Sequence, residues 1–229
     1  MEFLQAVLDF FLHLDDHLHR LILEYGVWIY LILFLIIFVE TGLVIMPFLP
    51  GDSLLFAAGT FCAGKVNELG ETASLNIFLV LGLLLTAAIS GDALNYYLGK
   101  RIGLRVLKMK IGGRQLVSQK NIDKTNVFYE KHGPKTIIIA RFVPIVRTFA
   151  PFVAGIGDMK YARFLQYNII GAVIWVVGVT LLGYFFGQLP IIQENFEIVI
   201  FGIIALSAAP YLIDYIIWLF KRKKKDTEL

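Results

Sequence analysis

Five stretches of this chain are apolar and nearly free of charge, and two of them are broken in the middle. From Val27 to Gly64 only Glu40 and Asp52 interrupt the run, and from Leu75 to Leu98 only Asp92 does. The stretch 136–157 reads TIIIARFVPIVRTFAPFVAGIG and carries Arg141 and Arg147. Phe164–Gln188 is uncharged, with Asn168 and Trp175 inside it, and 196–220 is apolar apart from Glu197 at its start and Asp214, with a kink expected at Pro210. Apolar blocks of about twenty residues are the pattern of membrane-crossing helices. The run 27–64 is nearly twice that length, and its centre holds Gly42, Pro47, Pro50 and Gly51. The run 136–157 holds Pro144 and Pro151, with Gly155 and Gly157 at its end. Proline stops a smooth helix, and non-helical backbone at membrane depth survives only when buried in protein or facing a wet cavity. Both runs therefore predict re-entrant hairpins, at 27–64 and 136–157, with Asp52 or Ser53 capping the helix after the first break.

The remaining stretches complete a single membrane domain over 1–229, all-α and polytopic. Residues 1–26 are amphipathic: Leu4, Val7, Leu8, Phe11, Leu14, Leu18, Leu21 and Ile22 share one helical face, which predicts an interfacial helix. Its His13 and His17 share a face too, but with no third ligand they read as a solvated surface, not a metal site. The segment 99–135 has ten Lys or Arg residues against Asp123 and Glu130. Topology explains this charge better than nucleic-acid binding does: basic loops stay in the cytoplasm. The basic tail 221–229 belongs on the same side. On that count the N-terminus lies outside if 27–64 is re-entrant and inside if it crosses.

Two halves, 27–98 and 136–188, share an outline: a broken apolar run followed by one crossing. PFLPG at 47–51 answers PFVAG at 151–155, and YYLGK at 96–100 answers YFFGQ at 184–188. A unit with one net crossing leaves its successor upside down, so the halves predict an inverted repeat whose hairpins meet near the midplane.

Composition agrees. Hydrophobic residues make up 58% of the 229 and charged ones 17%, where a soluble domain carries about 25% charge. Cys62 is the only cysteine, which excludes an internal disulfide and a cysteine metal cluster and suits a small apolar filler. Glu2 and Asp9 stand where a secretory signal would be basic, so no cleaved leader is expected.

The charges left in the apolar runs carry the candidate chemistry. A guanidinium in the hydrocarbon costs roughly 2.5–3.5 kcal/mol on an insertion scale, and intramembrane charges are functional by default. The first hairpin brings Glu40 and Asp52, and the second brings Arg141 and Arg147. On an ideal helix Arg141 and Arg147 would sit about 240° apart, so a break at Pro144 is needed to turn both into one cavity. Opposed hairpins let the four neutralise one another, either as salt bridges between hairpins or as a site; Asp92 is a secondary candidate.

At these residues the chain resembles the DedA family of bacterial membrane proteins, which share a domain with eukaryotic scramblases. The residues that carry the resemblance are Glu40 with PFLPGDS at 47–53, GDALNY at 91–96 and ARFVPIVRTFAPFVAG at 140–155. KHGPKTI before that run and YNIIGAVIW after it extend the likeness. The resemblance implies two re-entrant hairpins in inverted repeat, an inner-membrane location, and a requirement for the acidic pair and the arginine pair. It also implies translocation of polyprenyl phosphate or phospholipid in some members, and dependence on the proton gradient in others.

Three functions then compete. In the first, Arg141 and Arg147 take a lipid phosphate headgroup, because arginine binds phosphate through a two-pronged fork and keeps its charge. Glu40 and Asp52 hold the arginines in the empty site or exchange a proton in each cycle. In the second, the same four residues carry a small soluble ion with protons. The third is a lipid phosphatase, which needs a nucleophile, a base or metal ligands; His132 is the only histidine near the basic residues. The reading favours the first, with membrane lipids and protons as partners, no nucleic acid, no cofactor and no enzymatic activity.

Overall fold

A computed structural model of the chain describes residues 22, 24, 26–43, 51–66, 72–106, 110–111, 114–115, 119–196 and 198–206. Nearly all of them are helical. In chain order the helices are α1 (Trp28–Gly42), α2 (Gly51–Cys62), α3 (Ile77–Val106), α4 (Gln119–His132), α5 (Thr136–Ala140), α6 (Pro144–Ile156), α7 (Tyr161–Phe186) and α8 (Pro190–Glu194). Residues 198–206 are helical again. Two short antiparallel ribbons pair Lys65–Val66 with Thr72–Ala73 and Lys110–Ile111 with Arg114–Gln115. Pro47, Pro50, residues 1–21 and the tail 221–229 lie outside the described residues, as does the last helix beyond residue 206.

Helices α3 and α7 are the two long apolar ones, and each is long enough to cross a bilayer. Their outward faces are greasy: Phe78 is 83% exposed and Phe185 65%, and Ile170 and Ile174 also face out. A soluble protein would bury such a continuous apolar face, whereas lipid solvates it.

The two helices run antiparallel. Gln188, just past α7, donates from Nε2 to the Gly64 carbonyl (3.2 Å), and Leu75, just before α3, bonds to the Phe61 carbonyl. At the other end Lys100 pairs with Asp158 at 3.4 Å, and the Tyr96 hydroxyl donates to the Met159 carbonyl. Helix α1 starts near the first of these ends, where the Tyr30 hydroxyl accepts from the Asn76 backbone at 2.9 Å.

Helix α3 runs two turns past Leu98, so the segment 99–135 is not one loop. It opens as helix and continues as α4. Lys100 and Arg101 fall in those last turns, where cations favourably offset the helix dipole and long side chains reach out of the apolar zone.

The break in 136–157 also differs from expectation. It occurs once, at Arg141–Val143, and Pro144 opens α6 at a position that needs no N–H donor. Val143 is extended, as a residue before proline must be. Pro151 does not turn the chain: α6 runs straight through it, buried among its neighbours. Helix α6 ends at Ile156 with Gly157 as its cap, and Gly155, one residue before that end, is also a contact point.

Helix packing is exchanged between the halves. Helix α1 lies on α3 and α5 on α7, while α2 crosses to α7 and α6 crosses to α3. Glycine permits both crossings. A Cβ on Gly59 would stand 2.0 Å from the Thr180 carbonyl oxygen, and one on Gly183 2.0 Å from that of Phe56. In the other crossing a Cβ on Gly155 would stand 2.1 Å from the Tyr96 oxygen, and one on Gly99 2.1 Å from that of Phe152. Backbones this close require small residues at the interface. The corresponding motifs are thus FAAG at 56–59 with FVAG at 152–155, and Gly99/Gly103 with Gly183/Gly187. The match of PFLPG to PFVAG is out of register, and that of YYLGK to YFFGQ is one turn off.

Three apolar clusters result among the described residues, one around Leu55, Phe61, Leu84 and Val176, one around Tyr96, Ile137, Val146 and Phe164, and one around Ile122, Phe149, Phe152 and Val153.

Candidate functional site

Both helix breaks end halfway along α3. Gly42, the last residue of α1, lies against Gly91, where a Cβ on Gly91 would meet the Thr41 hydroxyl at 2.0 Å. Asn95, one turn further along α3, donates from Nδ2 to the Thr41 carbonyl (3.2 Å) and to the Thr148 carbonyl of α6 (2.8 Å). One buried amide therefore ties the two broken segments together. The Tyr129 hydroxyl of α4 supports α6 from outside by donating to the Ala150 carbonyl at 2.9 Å. Burial pushes that phenol above its usual range, so it stays a donor.

At this depth Arg147 holds two carboxylates. Its Nη2 donates to Glu40 Oε1 at 2.7 Å, and its Nη1 to Asp52 Oδ1 and Oδ2 at 3.3 and 3.4 Å. Glu40 Oε1 also accepts from the Gly51 backbone at 3.3 Å, which puts the carboxylate at the start of α2, where the helix dipole favours an anion. A Cβ on Gly51 would fall 1.8 Å from Glu40 Oε2, so any larger residue there would displace the carboxylate from this place. That second oxygen, Oε2, is buried with no hydrogen-bond partner among the described residues.

Arg141 goes elsewhere. Its Nη2 donates to Asp92 Oδ2 at 2.6 Å and to Asn168 Oδ1 at 2.7 Å, and Asn168 is itself fixed by donating to the Ile89 carbonyl at 3.0 Å. The side chains of Arg141 and Asp92 are 2% and 6% exposed, so this is a dry pair. The expected set of four thus divides. Arg147 meets Glu40 and Asp52, and Arg141 meets Asp92, because the break starts at Arg141 itself, at the end of α5, while Arg147 lies on α6.

Trp175, in the middle of α7, joins the two pairs. Its indole Nε1 donates to Asp52 Oδ1 at 2.6 Å, and its ring lies under the Arg147 guanidinium at 4.1 Å and 5.6 Å from that of Arg141. Sequence reasoning noted Trp175 and Asn168 but gave them no role. The usable signal was position, since tryptophan in membrane helices belongs at the interfaces, not at mid-depth.

A cavity of about 650 Å³ opens onto this cluster. Asp52, Arg141, Arg147 and Trp175 lie at one part of its lining, and the rest is apolar, including Phe142, Leu182, Phe186 and Leu206. Those four apolar residues are 50–77% exposed, so the apolar wall continues onto the outer surface. Among the described residues no group of three or more His, Cys, Asp or Glu side chains is placed to hold a metal. His132 sits away from the cluster with Nδ1 against the Phe128 carbonyl at 3.2 Å.

The VTT domain family matches residues 49–185, which contain Asp52, Asp92, Arg141, Arg147 and Trp175. Protein DedA of Escherichia coli K12 is 51% identical over 216 residues, covering 94% of this chain and 95% of that one. Inner membrane protein YqjA of the same strain is 33% identical over 71% of this chain and 70% of its own. Inner membrane protein YghB of Salmonella typhimurium is 31% identical over 79% of this chain and 78% of its own. No solved structure matches the chain. The chain is a membrane protein of the VTT-domain DedA family, within the subgroup around DedA itself.

Proposed function

We propose that this protein is a transporter that moves a lipid phosphate, a polyprenyl phosphate or a phospholipid, across the bacterial inner membrane with proton coupling. The observation that carries the reading is the cavity: arginines and an acid at one part of its lining, apolar walls elsewhere, and walls that run out to the exposed surface. A phosphate headgroup needs the first and its hydrocarbon tail needs the second. A soluble ion would have no use for the apolar walls, which weighs against the second reading, a carrier of a small soluble ion.

In this mechanism Arg147 is the group that exchanges partners. Its bonds to Asp52 are the long ones, and a phosphate oxygen replaces them with shorter, charge-assisted bonds. Arg141 stays on Asp92 and Asn168 and contributes positive charge from a fixed place. Glu40, with Oε2 unpartnered, is the proposed proton acceptor when Arg147 turns to the substrate.

The exchanged packing of α2 and α6, with both breaks at mid-depth, supports re-entrant hairpins in an inverted repeat. Inner-membrane residence is taken from the relatives' names, and basic residues put the end of α3 in the cytoplasm. The proposal includes no enzymatic step. Purified protein in vesicles should flip labelled polyprenyl phosphate, and Arg147→Ala should stop it while still inserting. Flux of soluble phosphate without lipid would favour the second reading, and release of phosphate from the lipid would favour a phosphatase.

A further inference from the structure

The two glycine crossings share one register. In the first, Phe56 and Gly59 of α2 meet Thr180 and Gly183 of α7; in the second, Phe152 and Gly155 of α6 meet Tyr96 and Gly99 of α3. One constant shift along the chain carries α2 onto α6, and another carries α7 onto α3. The cavity-lining residues Asp52, Phe56, Val179 and Leu182 then fall on Thr148, Phe152, Asn95 and Leu98. The first set faces an open cavity on the side of Gly64 and Gln188. The second set points the other way along the bundle, toward Lys100 and Asp158, and is covered. Helix α4 puts Ile122 into one cluster with Phe149, Phe152 and Val153, with Leu98 and Tyr129 packed against it. The Tyr129 bond to the Ala150 carbonyl holds α4 there. What lies near that cover is not all apolar. The Thr148 hydroxyl and Asn95 Oδ1 are both buried with no hydrogen-bond partner among the described residues. A buried polar group left unmet is costly, and packing alone gives no reason for two of them beside Arg147.

We propose that the face of α3 and α6 beneath α4 is a second seat for the lipid phosphate, on the cytoplasmic side of Arg147. The headgroup sits at Thr148 and Asn95, and the hydrocarbon chain lies along Phe152 and Leu98 once α4 has swung off them. The Thr148 hydroxyl donates to a phosphate oxygen, and Asn95 Oδ1 accepts from a P–OH or from a water carried with the headgroup. Arg147 is next to Thr148 in the chain and lines the open cavity, so one guanidinium serves both seats during the passage. Helix α4 is suited to move. It is the most polar helix, with Asn126, Glu130 and Lys131 exposed, and Gly133 follows it at φ +58°, a conformation glycine adopts freely. The inference rests on the proposed function for its ligand and adds to it a second place of binding, with α4 as its cover.

Two measurements on the full-length protein test it. In phosphatidylcholine vesicles, Thr148→Val keeps the volume of the side chain and removes the hydroxyl. It is expected to slow transport of labelled polyprenyl phosphate at least fivefold without lowering the melting temperature, because an unmet buried group has gone. Transport at the wild-type rate overturns the seat. The second measurement does not depend on transport. In a chain with Cys62→Ser, Val153→Cys lies under α4, and its rate of reaction with a maleimide added from the cytoplasmic side is followed. The rate is expected to rise at least threefold in vesicles containing polyprenyl phosphate and to stay as it was in plain vesicles. A rise with inorganic phosphate alone assigns the free ion as ligand and retains the seat. No rise with either overturns the proposal. Wild-type transport by Thr148→Val with an unchanged labelling rate sinks this inference and leaves the transporter standing. Faster labelling of a protein that moves no lipid does the reverse.

Discussion

Arg147 and Arg141 are six residues apart and do different work, and the difference lies in what each leaves behind. Arg147 lines the cavity and spans two acids with bonds of unequal length, the longer of which are the ones the proposed exchange replaces. Replacing it with lysine keeps the charge and loses the fork. Transport by Arg147→Lys is expected to fall at least tenfold, because a point charge cannot hold Glu40 and a phosphate together; vesicle transport at wild-type rate would refute the exchange. Arg141 and Asp92 are a buried pair. Breaking it by Asp92→Ala should cost about 3–5 kcal/mol, since one buried charge is orphaned. The double change Arg141→Met with Asp92→Leu should recover most of that stability, read as the melting temperature in detergent. Equal losses in the single and double variants would show that the pair is not what matters there. The charges themselves were legible in the sequence, because they stand out in apolar runs. Their pairing was not: the partners are 95 and 107 positions apart for Arg147 and 49 for Arg141. A difference of one helical turn in how deep a break sits reassigns them.

Helices here are positioned by glycine as much as by apolar surface. At Gly59, Gly183, Gly99 and Gly155 an added methyl would run into backbone carbonyls that cannot rotate away. Gly59→Ala and Gly155→Ala are each expected to lower the melting temperature and to reduce transport by spreading α2 from α7 or α6 from α3. Gly82→Ala and Gly178→Ala face open space and should be neutral or slightly stabilising, as alanine is the better helix former. If all four variants melt alike, close packing at the crossings is not what holds these helices. The apolar runs predicted the helices, since their length and lack of charge are local properties. Proline misled at one position, because a buried Pro151 stays in α6 while Pro144 starts it. The glycine crossings went unread as such, since a small residue shows its purpose only once a partner helix lies against it.

For the whole molecule, the antiparallel course of α3 and α7 fixes which ends share a side. In a chain with Cys62 replaced by serine, single cysteines at Asn76 and Gln188 should be labelled from one side of the membrane. Cysteines at Lys100 and Asp158 should be labelled from the other, the cytoplasmic one. Labelling of Asn76 and Gln188 from opposite sides would refute the antiparallel arrangement and with it the inverted repeat.

The sequence by itself determined that this is a helical membrane protein with two broken apolar segments, and it marked Glu40, Asp52, Asp92, Arg141 and Arg147 as charges that need partners. Those conclusions rest on transfer free energies, which depend on residue type and on neighbours along the chain. Only the tertiary structure decided that Arg147 takes both Glu40 and Asp52, that Arg141 belongs to Asp92 and Asn168, and that Trp175 lies between them. Each of those contacts depends on which helix crosses which, and at what height. The crossings are set by pairs of glycines about 56 and 124 positions apart, Gly99–Gly155 and Gly59–Gly183, and by the break at 141–143. A charge advertises its cost in any apolar stretch, but its partner is chosen by packing.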